Sequence, residues 1–164
     1  MQEPRIEILG EKKLIGKRLI MSFSNDRTVE LWKSFMPKRN EISKRVSQDL
    51  FCLQFYDNIY EYKDFSADTV FEKWAAAEVA DGCEIPEGME LLTLNGGLYA
   101  VFLYVGAACN FQATFHYIFG VWLPNSIYEL DQRAHFEILG AKYKNNDPES
   151  EEEIWVPIKN HIDT

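Results

Sequence analysis

RAHFEILGAKYKNNDPESEEEIWVPI, residues 133–158, reads as a strand, a polar turn and a second strand. Ala134, Phe136 and Ile138 alternate with Arg133, His135, Glu137 and Leu139. After the turn, Ile154, Val156 and Ile158 alternate with Glu153, Trp155 and Pro157. Period-two alternation marks a half-buried strand, so the apolar set of each strand is expected on the core and the other set on the opposite face. A hairpin would then put Glu137 and Trp155 together on that second face. A large indole on a wet face needs a reason.

The rest of the chain repeats the pattern. Residues 70–79, VFEKWAAAEV, carry three alanines that favour a helix. Read as a strand, they place Phe71, Lys73, Ala75, Ala77 and Val79 on one face and Glu72, Trp74, Ala76 and Glu78 on the other. An indole again shares a face with carboxylates. Residues 4–9 and 14–23 read as strands around the turn Gly10-Glu11-Lys12-Lys13, and 50–56 as another strand. Residues 89–94 and 97–105 read as strands around Asn95-Gly96-Gly97, a hairpin signal. Val29, Trp32, Phe35 and Met36 recur at helical spacing, predicting a helix over 27–36 with Ser24, Asn25 and Asp26 as cap candidates and Pro37 at its end. Phe111, Phe115, Ile118, Phe119 and Trp122 predict a second helix over 111–122, with Asn110 able to cap it and Pro124 beyond it.

Strand, strand, helix, strand, strand therefore occurs twice, over about 1–80 and 89–158. Internal duplication is the economical reading. It supports the strand at 70–79, which fills the place of 152–158. The expected architecture is α+β, one domain over 1–164, made of two β-α-β-β units. Their antiparallel sheets join across a pseudo-two-fold axis, with the helices covering one face and a central cleft on the other.

Composition bounds the function. A length of 164 residues and 46% apolar content suffice for a sizeable core. The net charge of −9 disfavours a nucleic-acid surface, which needs clustered positive charge. The densest basic patch, Lys38, Arg39, Lys44 and Arg45, is interrupted by Glu41 and reads as a solvated face. No apolar run approaches the ~18 residues of a membrane helix, and the first residues lack a signal-peptide core. Cys52, Cys83 and Cys109 are odd in number and widely spaced, which fits a reducing cytoplasm. His116, His135 and His161 show no metal-ligand spacing. No nucleophile elbow, phosphate loop, zinc-helix or dinucleotide motif is present, so neither metal nor cofactor is expected.

Two indoles and at least one acid would line the expected cleft. An indole face attracts a cation by its quadrupole, worth roughly 0.5–2 kcal/mol, while apolar area supplies most of the affinity. Trp74 and Trp155 could equally pack on each other or on a loop, leaving Glu137 exposed. His135 and Glu137, two apart on one strand, read as a surface pair or as a general base acting on water.

Several segments resemble the gyrase-inhibitor-like family, whose domain also serves as the effector-binding domain of AraC-type and MerR-type bacterial regulators. They are PRIEIL at 4–9 with Ile15-Gly16, ELWKSF at 30–35, EIPEGM at 84–89, GGLYAVFLYVG at 96–106, VWLPNS at 121–126, HFEIL at 135–139, and DPES with EIWVPI across 147–158. The resemblance spans nearly the whole chain. It implies a duplicated fold whose central cleft takes small hydrophobic or cationic molecules, with Glu137 as the cleft acid. Trp155, Trp74, Trp122 and Tyr99 are implied as aromatic ligand-binding residues. Some relatives are implied to hydrolyse cyclopropane-bearing toxins, and a gyrase- or toxin-modulating interaction is a further implication. The sequence shows no helix-turn-helix pattern, so the expectation is effector or xenobiotic binding without direct contact to DNA.

Overall fold

The computed structural model describes residues 3–107 and 110–161; Cys109 lies outside them. Among the described residues the nine strands are β1 (Arg5–Leu9), β2 (Lys12–Met21), β3 (Leu50–Tyr56), β4 (Phe71–Val79), β5 (Glu90–Leu94), β6 (Gly97–Val105), β7 (Tyr128–Leu130), β8 (His135–Leu139) and β9 (Glu151–Asn160). Every pairing is antiparallel. Residues 71–79 are a strand despite their alanines. Gly16 of β2 explains the need for small residues there. A Cβ on Gly16 would lie 2.0 Å from the Ala75 carbonyl oxygen and 2.7 Å from the Ala76 Cβ. The two strands approach too closely for larger side chains, and tertiary packing overrides helix propensity.

Helix α1 (Thr28–Phe35) buries Leu31 and Phe35. Asp26, one of the three cap candidates, accepts the Thr28 amide at 2.9 Å, although the cap position itself falls to Arg27, which makes no side-chain cap bond. Pro37 does not stop the chain from turning: it opens a 3₁₀ segment over Met36–Glu41, where its missing N–H costs nothing. The second helical segment comprises α2 (Phe111–His116), a π-helical turn (Tyr117–Trp122) and α3 (Leu123–Asn125). Asn110 precedes α2 without a side-chain cap bond.

The strand order is β1-β6-β9-β8-β3-β4-β2-β5, with β7 added against β9. The order reads alike from both ends about the β8–β3 seam, so the α+β duplication and its pseudo-two-fold hold. The hairpins expected at Gly10–Lys13 and at Asn95-Gly96-Gly97 do not form. β1 pairs with β6 and β2 with β5, so each half lends its first strand to the other. The register never breaks: Arg5 faces Val101, Leu9 faces Gly97, Lys12 faces Leu94 and Gly16 faces Glu90. Residues 5–16 and 90–101 thus form one long ribbon. Its midpoint is tight, because a Cβ on Gly96 would lie 2.4 Å from the Leu9 carbonyl oxygen. Gly97, at φ +148°, has the Arg133 guanidinium where a Cβ would go.

Both faces of the sheet are covered. One face packs α1 through Ile15, Phe71, Ala75 and Ala77, and packs the second helical segment through Ala100, Phe102, Ile154 and Val156. The other face holds a continuous cluster that includes Leu14, Phe51, Leu53, Trp74, Tyr99, Phe136 and Trp155.

Candidate functional site: an acid between two helices

The β8–β9 hairpin forms as expected, with Phe136 opposite Trp155 and Glu137 opposite Ile154. Directly opposed residues share a face, so this register separates the acid from the indole. Trp155 stacks on Phe136 at 5.2 Å and 16°, whereas Glu137 points to the helix side with Ile154 and Cys52. The expectation that Glu137 and Trp155 share the face opposite the helices is therefore overturned: the indole is on that face and the acid is on the helix side. Alternation sorts each strand into two sets but cannot match the sets across strands, and here both faces are buried.

Trp74 lies on the same side as Trp155. It pairs with Leu53, which in turn opposes Phe136. Both indoles are nearly fully buried and each is clasped at its rim. The Trp74 indole N–H donates to Glu72, which also accepts from Arg18 at 3.0 Å, and the Arg18 guanidinium sits 5.9 Å above the ring. The Trp155 N–H donates to Glu153 at 3.2 Å, which accepts from Arg5 at 2.7 Å, and Arg5 sits 5.8 Å above that ring. These carboxylates and cations satisfy the indoles internally. Tyr99, on the same side, donates to the Ala134 carbonyl at 2.7 Å and carries Arg133 at 4.6 Å from its ring. Trp122 stands apart on the π-helical turn. It is stacked near Tyr128 and lines an outer hollow of about 470 Å³ with Glu3, Ile6 and Ile127. Glu137 is the one predicted site residue on the floor between the helices.

That floor is built by β3, β4, β8 and β9. Cys52 opposes both Glu137 and Ala75, and Gln54 opposes both His135 and Lys73. Glu152 follows on the same side of β9, two residues before Ile154. Gln54 Nε2 donates to Glu137 at 3.3 Å and to the Cys52 sulfur at 3.4 Å. The walls are aromatic. Trp32 of α1 lies near enough to Cys52 to favour its thiolate, and Tyr56 meets His135 edge-on at 5.0 Å. Phe119 lies 5.7 Å from the same imidazole. Phe23 meets Phe71 of β4 and Phe115 of α2, joining the two halves across one end.

Burial pushes the Glu137 carboxyl up to about 8, with Glu152 pushing the same way, while the Lys73 ammonium and the Gln54 amide pull it down. Glu152 is raised to about 7 by burial, against Lys73. His135 is held down to about 3 by burial and by Arg133, so it is neutral and not a surface group. Burial lifts the Cys52 thiol to about 12, against Lys73 and Trp32, which makes it inert as a nucleophile. None of the ion pairs among the described residues includes Glu137. Its side chain is only partly covered. Among the described residues no cluster of His, Cys, Asp and Glu could hold a metal ion, and no helix is long and apolar enough to cross a membrane. Trp32 and Lys73 escaped notice as site residues. Trp32 matches the spacing of a core stripe, and Lys73 was visible only as one member of an alternating set.

Comparison with known proteins places this geometry. The GyrI-like small molecule binding domain family matches residues 2–159. The transcriptional regulator BrlR of Pseudomonas aeruginosa is 25% identical over 149 residues, 88% of this chain and 51% of BrlR. The chain thus spans about half the length of the curated relative it matches. The EcmrR C-terminal domain superposes with a TM-score of 0.71 at 15% identity, covering 97% of this chain and 98% of that one. SAV2435, solved bound to tetraphenylphosphonium, superposes with a TM-score of 0.65 at 17% identity, covering 96% and 94%. These likenesses fix the fold, and with the match over residues 2–159 the chain belongs to the GyrI-like small-molecule-binding domain family.

Proposed function

We propose that this chain captures a small hydrophobic cation between α1 and the α2 segment, with Glu137 as the anionic anchor. The observation that carries the reading is the state of that acid. Glu137 is partly accessible, makes no ion pair among the described residues, and sits among aromatic side chains at a depth where burial holds its carboxyl near neutral. An organic cation would supply the missing charge, and its apolar body would fill the aromatic surroundings. The tetraphenylphosphonium held by a protein of the same fold supports this class of ligand. Trp32 replaces Trp74 and Trp155 as the wall indole; those two, with Tyr99, support the floor from its other side, and Trp122 takes no part. The role is effector or xenobiotic binding in the cytoplasm without direct contact to DNA, the ligand being held and not turned over.

Titration with tetraphenylphosphonium, followed by tryptophan fluorescence and calorimetry, tests the reading. Saturable binding that weakens at least tenfold in Glu137→Gln, with the ligand recovered unchanged, is expected. Equal affinity in the two proteins would refute the anchor, and consumption of the ligand would refute a purely binding role.

A further inference from the structure

The floor that holds Glu137 also holds a cation of its own. Lys73 of β4 opposes Gln54, and Gln54 opposes His135 of β8, so the lysine lies across β3 from the acid strand on the same face. It is half-buried, and its ammonium donates to the Thr28 hydroxyl at 3.0 Å. Thr28 in turn donates to Asp26 at 2.5 Å. The first turn of α1 thereby holds the lysine head, and none of the ion pairs among the described residues joins it to either acid. The titratable groups facing it are Asp26 from the loop before α1, Cys52 from β3, Glu137 from β8 and Glu152 from β9. Lys73 is the basic group acting on both Glu137 and Glu152, and it also acts on Tyr143 from the β8–β9 turn. Asp26 is exposed to solvent, so within the partly buried floor two carboxyls, Glu137 and Glu152, share one fixed ammonium.

Charge counting then constrains the ligand. In a partly dry site two ionised carboxylates can balance two positive charges, and each unbalanced charge is costly. Resting on the cation-capture reading, we propose that Lys73 is the specificity-determining residue that makes the site accept one positive charge per ligand, by permanently occupying the place of a second. A dication would bring a third positive charge to two acids. Removing the ammonium without removing the acids opens the second place.

A near-isosteric pair of probes isolates charge from shape: N-methyl-4-phenylpyridinium, a monocation, and N,N′-dimethyl-4,4′-bipyridinium, a dication. Their affinities are measured by calorimetry at pH 8.5 for the wild type, Lys73→Met and Lys73→Arg, with tetraphenylphosphonium as a reference ligand. Lys73→Met is expected to shift the dication-to-monocation affinity ratio at least tenfold toward the dication, while Lys73→Arg leaves the ratio at its wild-type value. A Lys73→Met protein that binds tetraphenylphosphonium but shows no relative gain for the dication overturns the inference, and so does an equal shift in Lys73→Arg. Failure of tetraphenylphosphonium to bind the wild type would instead count against the capture reading itself.

Discussion

Glu137 carries two opposed tendencies: its surroundings favour the neutral acid, while a bound cation favours the carboxylate. Binding must therefore expel a proton wherever the free protein still holds one. At pH 7, below the value of about 8 to which the group is raised, capture of tetraphenylphosphonium should release close to one proton per ligand. Affinity should climb as the pH approaches 8 and level off above it. Calorimetry in buffers of different ionisation enthalpy reads this directly, and an absence of buffer dependence would contradict it. The same group shapes stability with a definite sign. Folded, Glu137 keeps its proton to about 8; unfolded, it loses it near 4.5. The folded state holds the extra proton between those values, so stability falls as pH rises through that window. Glu137→Gln should flatten the decline in Tm between pH 5 and 8.5, and parallel curves would rule the effect out. Glu137 was legible in the sequence through the strand alternation of residues 133–139 and through the resemblance of HFEIL. The indoles were legible as an anomaly, but the acid was assigned to their face when it lies on the helix side, because a strand buried on both sides gives no local sign of which set meets which. Trp155→Ala should cost ~3–5 kcal/mol of stability, as large core truncations do, and chemical denaturation would measure it.

At the level of elements, most positions were readable, since apolar periodicity reports burial directly. The β8–β9 hairpin was found on pattern alone, and the strand at 71–79 by adding the internal duplication to its ambiguous pattern. Partner choice for the first strands was not readable. Asn95-Gly96-Gly97 has the composition of a tight turn, and nothing within ten residues says that Leu94 instead faces Lys12. The glycine is there because another backbone crosses it, which is a long-range fact. β7 was missed for a similar reason: three residues are too few to show a period, and their strand exists because β9 extends far enough to pair with them. The crossing makes a sharp prediction. Gly96→Ala and Gly16→Ala should each destabilise by ~3 kcal/mol or more, because the new methyl meets backbone atoms that have no room to yield. Gly10→Ala, with open space around its Cβ position, should fall within ~0.5 kcal/mol of wild type.

On the scale of the whole molecule, neither repeat owns a complete sheet. Residues 1–80 expressed alone would leave β1 without a partner strand and β2 paired with β4 alone. The fragment is expected to be unfolded by circular dichroism, and a cooperative monomeric fold would contradict the exchange. Mixing separate fragments of the two halves should restore structure in proportion to their concentration. An isolated half with this pairing rule could complete itself only by finding a second copy, as an obligate strand-swapped dimer whose assembly depends on dilution. Joining the copies end to end turns that encounter into an intramolecular one, at an effective concentration set by the tether. Fusion also frees the two copies to diverge, so that a chain of symmetric ancestry can carry an acid on one side of its axis and a lysine on the other.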